Sequence, residues 1–304
     1  MLLDKGANID IRNQYGFTAL IMASSYGNKE IITMLLDKST NIDIQNQRGD
    51  TALIMASSYG NKEIITMLLD KSTNIDIQNQ KGDTALIMAS SYGSKEIIRM
   101  LLDKSTNIDI QNKNGNTALI IASQKGYIEI VRMLLDKDAK IDLQNQKGDT
   151  ALIIASTYGK KEIVRMLLDK GANTNIQNKK GDTALISPSL YGNTEIVTML
   201  LDKGANTDLQ NKKGYTALMI ASQEEHTEIV RMLLSKGAKT DLQDGEGYTA
   251  LMIASEEGCA AIVLMLLNKG AKTNIQNIFR YTALMLASEG EDMEIVELLQ
   301  RYGA

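Results

Sequence analysis

Cysteine occurs once in this chain, at Cys259, so no internal disulfide framework can staple it, and a reducing, cytoplasmic setting is expected. Proline also occurs once, at Pro188, and aromatic residues make up only 4% of the sequence. That scarcity favours helices over an all-β architecture. His226 is the sole histidine. A zinc site needs three or four nitrogen or sulfur ligands at set spacing. One histidine and one distant cysteine cannot supply them, so no metal is expected and both residues read as packing residues. No apolar run approaches the roughly 20 residues that span a bilayer. Met1-Leu2-Leu3 runs at once into Asp4 and Lys5, which excludes a secretory apolar segment there. The net charge of −4 gives no whole-molecule attraction to nucleic acid or anionic membrane. A phosphate-cradling glycine loop, a nucleophile elbow and a zincin motif are all missing, so neither an enzyme nor a cofactor is expected.

What the chain has instead is a period. Thr-Ala-Leu begins at Thr18, Thr51, Thr84, Thr117, Thr150, Thr183, Thr216, Thr249 and Thr282, always 33 residues apart. A fixed period of this size means one supersecondary unit stacked on copies of itself. In the copy over residues 43–75, Asn46 can bond backbone groups two residues on, and Gly49 accepts positive φ without steric cost. Thr51 suits a helix N-cap. A short helix follows with Leu53 and Ala56 on one face, and Gly60 ends it in left-handed conformation. A second helix over about 62–71 carries a wide apolar stripe of Ile64, Ile65, Met67, Leu68 and Leu69. Lys71 is placed to complement its dipole, and the methionine column that includes Met34 and Met67 reads as core filler. Neither helix is long enough to hold alone in water, so each copy must lean on its neighbours.

The turn and helix start Asn46-x-x-Gly49-x-Thr51-x-Leu53, then Gly60, Glu63-Ile64-Ile65, Leu68-Leu69 and, later, Gly171-Ala172-Asn173, resemble the ankyrin repeat, and the resemblance covers the whole chain. It implies an all-α, ankyrin-type helical solenoid of stacked helix-turn-helix units with projecting β-hairpin-like loops. It also implies a concave groove, lined by loops and inner helices, that binds other proteins. Two columns depart from the family. Alanine stands at all nine positions after the Thr where the family has proline, and Ile or Met at all nine after the Leu where it has histidine. The first change removes some pre-organisation of the helix start. The second exchanges a polar link to the Thr for apolar packing. The fold is expected to survive both.

Repeats are expected to start at residues 10, 43, 76, 109, 142, 175, 208, 241 and 274. Residues 1–9 read as the end of a preceding repeat, and the chain as a fragment of a longer array. Ser39-Thr40, Ser72-Thr73 and Ser105-Thr106 stand where later repeats have Gly-Ala, so the first third is expected to be looser. Glu225 and Glu291 replace a helix-ending glycine and Arg280 a turn glycine; these sites should be strained or rebuilt. Pro188 falls inside a first helix, where it removes an N–H and clashes with the preceding turn. Drift and a hinge are the two readings of it.

The candidate site residues are therefore contact residues. Tyr26, Tyr59, Tyr92, Tyr158 and Tyr191 share the slot at the end of the first helix, which by the resemblance faces the groove. Exposed tyrosines offer large contact area and are enriched at interfaces. Beside them the loops carry Arg48, Lys81, Lys147, Lys180 and Lys213, interspersed with Asp50, Asp83, Asp149 and Asp182. Such a mixed face does not suit nucleic acid. Charge is uneven: residues 1–207 hold 24 basic and 23 acidic side chains, residues 208–304 hold 9 and 14. By the resemblance Glu224, Glu246, Glu256, Glu257 and Glu289 lie in groove slots there, with Tyr215, Tyr248, Phe279 and Tyr281 on the loops. A protein partner that is basic at that end, with apolar anchors, is the expectation, held by a monomer without a membrane span. The rival reading is a structural spacer, or part of a larger multidomain protein whose active domain is absent.

Overall fold

A computed structural model describes residues 8–304, so most of the partial repeat expected over residues 1–9 lies outside the described residues. The chain divides into two compact units, residues 1–146 and 147–304. All regular structure among the described residues is helical. The first unit holds four helix pairs: α1 (Ala19–Tyr26) and α2 (Lys29–Asp37), α3 (Ala52–Tyr59) and α4 (Lys62–Leu69), α5 (Ala85–Tyr92) and α6 (Lys95–Leu102), α7 (Ala118–Lys125) and α8 (Ile128–Asp136). The second holds five: α9 (Ala151–Thr157) and α10 (Lys161–Asp169), α11 (Ile186–Leu190) and α12 (Thr194–Asp202), α13 (Ala217–Gln223) and α14 (Thr227–Ser235), α15 (Ala250–Glu256) and α16 (Ala260–Asn268), α17 (Ala283–Glu289) and α18 (Met293–Arg301).

Local chemistry sets these boundaries. The Thr51 hydroxyl accepts from Ile54 N at 3.2 Å, satisfying a donor that the first helical turn leaves free. Gly60 closes α3 at φ 79°. In α4, Ile64, Ile65 and Leu68 are all at most 1% exposed, as are Leu53, Ile54 and Ala56 of α3. Burial of each large aliphatic side chain contributes about 1.5–3 kcal/mol, and most of it is contact with neighbouring repeats. The position of Ile54 shows this: its counterpart Met252 is 1% exposed, whereas Met285, in the last repeat, is 48% exposed.

Two details differ from expectation. Helix α4 stops at Leu69, capped by Asp70, so Lys71 lies beyond its last turn. The chain turns left-handed directly afterwards, at Ser72 with φ 58°. The methionine column is only half-buried from Met67 onward, and Met34 is exposed. Its slot lies at the edge of the apolar stripe, where Met232 reaches across to Thr198 on the preceding second helix at 4.0 Å.

The irregular positions behave as their chemistry requires. Ser39, Ser72, Ser105 and Asp138 all take left-handed φ between 56° and 59°. The three serine sites carry a compensating tie that the sequence reading did not foresee. Thr73 Oγ1 donates to Asp43 at 2.8 Å, and Asn74 N donates to the same carboxylate at 3.1 Å. Thr40 meets Asp10 and Thr106 meets Asp76 in the same way. Glu225, Arg280 and Glu291 are left-handed as well, at φ 55°, 66° and 57°. Pro188 reshapes its helix: α11 has five residues where the other first helices have seven or eight. The proline lacks the N–H that would have bonded back into the first turn, so that turn is lost. The Thr183 hydroxyl then accepts from Leu185 N, two residues on rather than three.

Candidate protein-binding face

The loops stack by a fixed set of bonds. Asn46 Oδ1 accepts from Arg48 N at 2.8 Å and from Asp50 N at 2.9 Å, shaping the turn from within. Gln80 N then donates to the Arg48 carbonyl at 2.8 Å, and Lys113 N to that of Lys81 at 2.9 Å. In the second unit the carbonyls of Lys147, Lys180 and Lys213 accept from Lys179, Lys212 and Gly245. The backbone of every predicted loop cation is thus pinned to the next loop, while its side chain is exposed. Gly49 permits that approach: a Cβ there would lie 2.7 Å from Gln80 N.

The tyrosine slot is solvent-facing wherever it is filled by tyrosine. In the first unit Tyr26, Tyr59 and Tyr92 are 83%, 63% and 60% exposed, and in the second Tyr158 and Tyr191 are 52% and 69% exposed. Each sits on the last turn of a first helix or just past it, before the left-handed glycine.

A second column lies beside the loops and changes character along the chain. It reads Phe17, Asp50, Asp83, Asn116, Asp149, Asp182, Tyr215, Tyr248, Tyr281. Where it is Asp or Asn, its oxygen accepts from the asparagine 29 residues later. Asn79 Nδ2 meets Asp50 and Asn112 Nδ2 meets Asp83, each at 2.8 Å, and Asn145 meets Asn116 at 3.0 Å. In the second unit Asn178 meets Asp149 and Asn211 meets Asp182. Where the column is Phe17, the following asparagine, Asn46, is buried with its Nδ2 unpaired; where it is Tyr248, the buried Asn277 is engaged with the tyrosine hydroxyl. Sequence reading missed this column because its pairs appear only at a spacing of 29 residues.

The three tyrosines of this column gather acidic groups. Burial first, then the charges of Asp244 and Glu246, push the Tyr215 hydroxyl above its ordinary pKa. Burial and then Glu256 do the same to Tyr248. Tyr281 is raised chiefly by its hydrogen bond with Glu289. Glu256 is itself raised, by burial first and then by Glu257 and Glu289. The structure therefore brings Tyr248, Tyr281, Glu256, Glu257 and Glu289 within mutual electrostatic reach, and adds Asp244. A solvent-open hollow of about 560 Å³ is lined here by Phe279, Arg280, Tyr281, Leu284, Met285, Ser288 and Glu289.

His226 and Cys259 sit elsewhere, in one slot at the start of second helices. His226 Nε2 lies 3.0 Å from the Leu190 carbonyl. Its ring packs on Gly192, where a Cβ would approach it to 2.8 Å. Among the described residues no three His, Cys, Asp or Glu side chains are grouped to hold a metal ion. No described helix is long and apolar enough to cross a membrane.

Stacked helix pairs with a 33-residue period, joined by loops that bond edge to edge, define a tandem-repeat interaction protein. The family model for ankyrin repeats, three copies long, matches residues 1–79, 71–145, 137–211 and 191–277, and the chain belongs to the ankyrin repeat family. Ankyrin repeats are generally protein–protein interaction modules. No curated protein matches the chain.

Proposed function

We propose that the chain is a non-enzymatic scaffold or adaptor that holds a protein partner on the face formed by its loops and first helices. The observation that carries this is the tyrosine slot, at least half exposed in all five repeats where tyrosine fills it. Rings presented on a frame whose backbone bonds are already satisfied lose little entropy on binding. Arg48, Lys81, Lys147, Lys180 and Lys213 flank them on the loops and select and steer the partner. The glutamates of the last repeats, beside Tyr215, Tyr248 and Tyr281, call for basic character in the part of the partner that meets them. The scaffold acts as a monomer in a reducing, intracellular setting, which suits the lone Cys259. Repeats starting at residues 10, 43, 76, 109, 142, 175, 208, 241 and 274 are its building blocks.

The test replaces Tyr26, Tyr59, Tyr92, Tyr158 and Tyr191 by alanine and compares captured partners with those of the unaltered chain. Loss of the specific partners is expected, with helicity by circular dichroism retained. An unchanged set would favour the spacer reading.

A further inference from the structure

We propose that Met22, Met55, Met88, Tyr26, Tyr59 and Tyr92 form a docking strip, confined to the first three repeats, for an amphipathic helix of the partner with acidic residues along one flank. Such a strip is one part of the scaffold face described above, and its assignment rests on that reading.

Three identical first helices build the strip. Each of α1, α3 and α5 reads Ala-Leu-Ile-Met-Ala-Ser-Ser-Tyr, and α3 packs between α1 and α5. Methionine and tyrosine stand four residues apart, which puts them on one face of the helix about 6 Å apart along its axis. Met22 is 42% exposed, Met55 and Met88 are half-buried, and the three rings face solvent. Between the two rows, Ser25, Ser58 and Ser91 donate to the carbonyls of Ile21, Ile54 and Ile87 in their own helices, at 2.9, 2.8 and 3.0 Å. The floor between the rows is therefore low and offers no free hydroxyl donor. The fourth repeat closes the strip: Ile121 is buried in the methionine slot, and Lys125 takes the tyrosine slot.

Two parallel apolar rows select the form of the occupant. An extended strand turns alternate side chains to opposite faces and offers a single row to each. A helix offers residues i, i+3, i+4 and i+7 as one broad stripe, which covers both rows. Laid across the repeats it rises about 10.5 Å in seven residues, close to the spacing of about 8–10 Å between packed helices. Each heptad of the guest thus meets one repeat, and the unbranched methionines adapt to its side chains.

Charge complementarity sets the flank. Arg48, Lys81 and Lys113 are exposed on the loops that precede these and the next first helix, and among the described residues none of the three is in an ion pair. The loop anions are drawn inward: Asp50 is 8% exposed, Asp83 is half-buried, and their oxygens accept from Asn79 and Asn112 at 2.8 Å. Past the tyrosines the cations are matched. Lys29 pairs with Glu63 at 3.4 Å and Lys62 with Glu96 at 3.6 Å, and Lys95 adjoins Glu96. Uncompensated positive charge therefore gathers on the loop side of the strip, where carboxylates on one flank of the guest helix meet it.

The experiment titrates the full chain with two fluorescently labelled fourteen-residue peptides of identical composition, made of leucine, glutamate and alanine. One sets leucine at its positions 1, 4, 8 and 11 and glutamate at 2, 5, 9 and 12, so that a helix has an apolar stripe and one acidic flank. The other scatters the same residues around the helix. The patterned peptide is expected to bind at least fivefold more tightly, and a central proline in it should abolish that gain. Met55→Ala with Met88→Ala should weaken it about tenfold, with helicity of the chain retained by circular dichroism. Arg48→Gln with Lys81→Gln should weaken it about fivefold. Lys203→Gln with Lys236→Gln, an equal charge change on second helices of the other unit, should leave it within twofold. Equal binding of the two peptides, unchanged binding in the methionine variant, or equal weakening by the two charge variants would overturn the proposal. Tyr158→Ala with Tyr191→Ala should not alter this titration, whereas both rings enter the partner-capture test of the whole face, so the strip and the broader scaffold reading can fail separately.

Discussion

The same loop position makes an oxygen–amide pair at Asp50, Asp83 and Asn116 of the first unit and is a tyrosine in the last three repeats. At Asp50, Asp83 and Asn116 an oxygen meets the amide of the next loop, so these pairs are satisfied inside the protein. At Tyr248 a phenol replaces the short side chain, the amide of Asn277 engages its hydroxyl, and carboxylates collect around the tyrosines. Stacking is preserved in both, because the backbone bonds between loops do not use this side chain: Ile278 N still donates to the Glu246 carbonyl at 3.0 Å. Loop stacking thus rests on backbone atoms, and the side-chain column can diverge without loss of the fold.

The sharpest way to break the closed region is to obstruct its stacking. At Gly82 φ is 79°, and a Cβ would lie 2.6 Å from Lys113 N and 2.9 Å from Asn112 Cα. Gly82→Ala combines left-handed strain with a backbone collision, and should cost about 3 kcal/mol in urea unfolding. Among the described residues no loop stacks on Arg280, which is left-handed in the matching slot at φ 66°, so Arg280→Gly should change stability by no more than about 1 kcal/mol, in the favourable direction. Similar losses at Gly82→Ala and Arg280→Gly would show that loop stacking is not what makes the glycine necessary.

Next in size is Pro188→Ala. Restoring the N–H and the missing first turn of α11 should stabilise the second unit by about 2 kcal/mol and slow amide exchange across residues 184–190. Exchange in the unaltered chain should be faster there than in α9 or α13, and equal protection would remove the hinge reading. Asp83→Ala follows. It strands Asn112 Nδ2 in a loop that otherwise pairs it, at a cost of about 1–3 kcal/mol.

Most of the fold was legible because its determinants are local. Thr51, Gly60 and Asn46 act within four residues of themselves, and their geometry follows from φ preferences and free helix-end groups. The exposed tyrosine slot was legible through the resemblance, which places the end of the first helix on the groove side. What stayed hidden depends on register between repeats. The bond from Thr73 to Asp43 spans 30 residues and that from Asn79 to Asp50 spans 29. No local pattern marks either, although the alignment of the copies contains both. The charge count together with the resemblance pointed to Glu256 and Glu289, whereas Asp244 became visible only once the loops were stacked. The methionine column was placed too deep because the apolar stripe is wider than the neighbouring helices cover.

A smaller effect separates the two ways of ending a second helix. Ser72 bears left-handed strain at φ 58° while Thr73 ties the turn to Asp43. Ser72→Gly should stabilise by about 1 kcal/mol, and Thr73→Val should destabilise by about 1 kcal/mol. The double variant, which approximates the later Gly-Ala ends, should return close to the starting stability. A double variant well below it would mean that tie and strain are coupled.

The smallest expected effect concerns Glu256 and depends on pH. Its carboxyl is held above the ordinary value of 4.5, by burial first and then by Glu257 and Glu289. The folded chain therefore holds this proton more tightly than the unfolded chain does, and the ionised carboxylate works against the fold. That cost is fully present at neutral pH and is relieved as pH falls through the raised value. Glu256→Gln should accordingly stabilise the chain at pH 7, by less than about 1 kcal/mol because the site is largely solvent-screened. The gain should vanish below pH 4, where the wild-type carboxyl is protonated in both states. Urea unfolding of both proteins at pH 7 and pH 3.5 measures the difference. A gain that persists at pH 3.5 would trace to packing and would remove the electrostatic contrast between the surroundings of Glu256 and the paired loops at Asp50, Asp83 and Asn116.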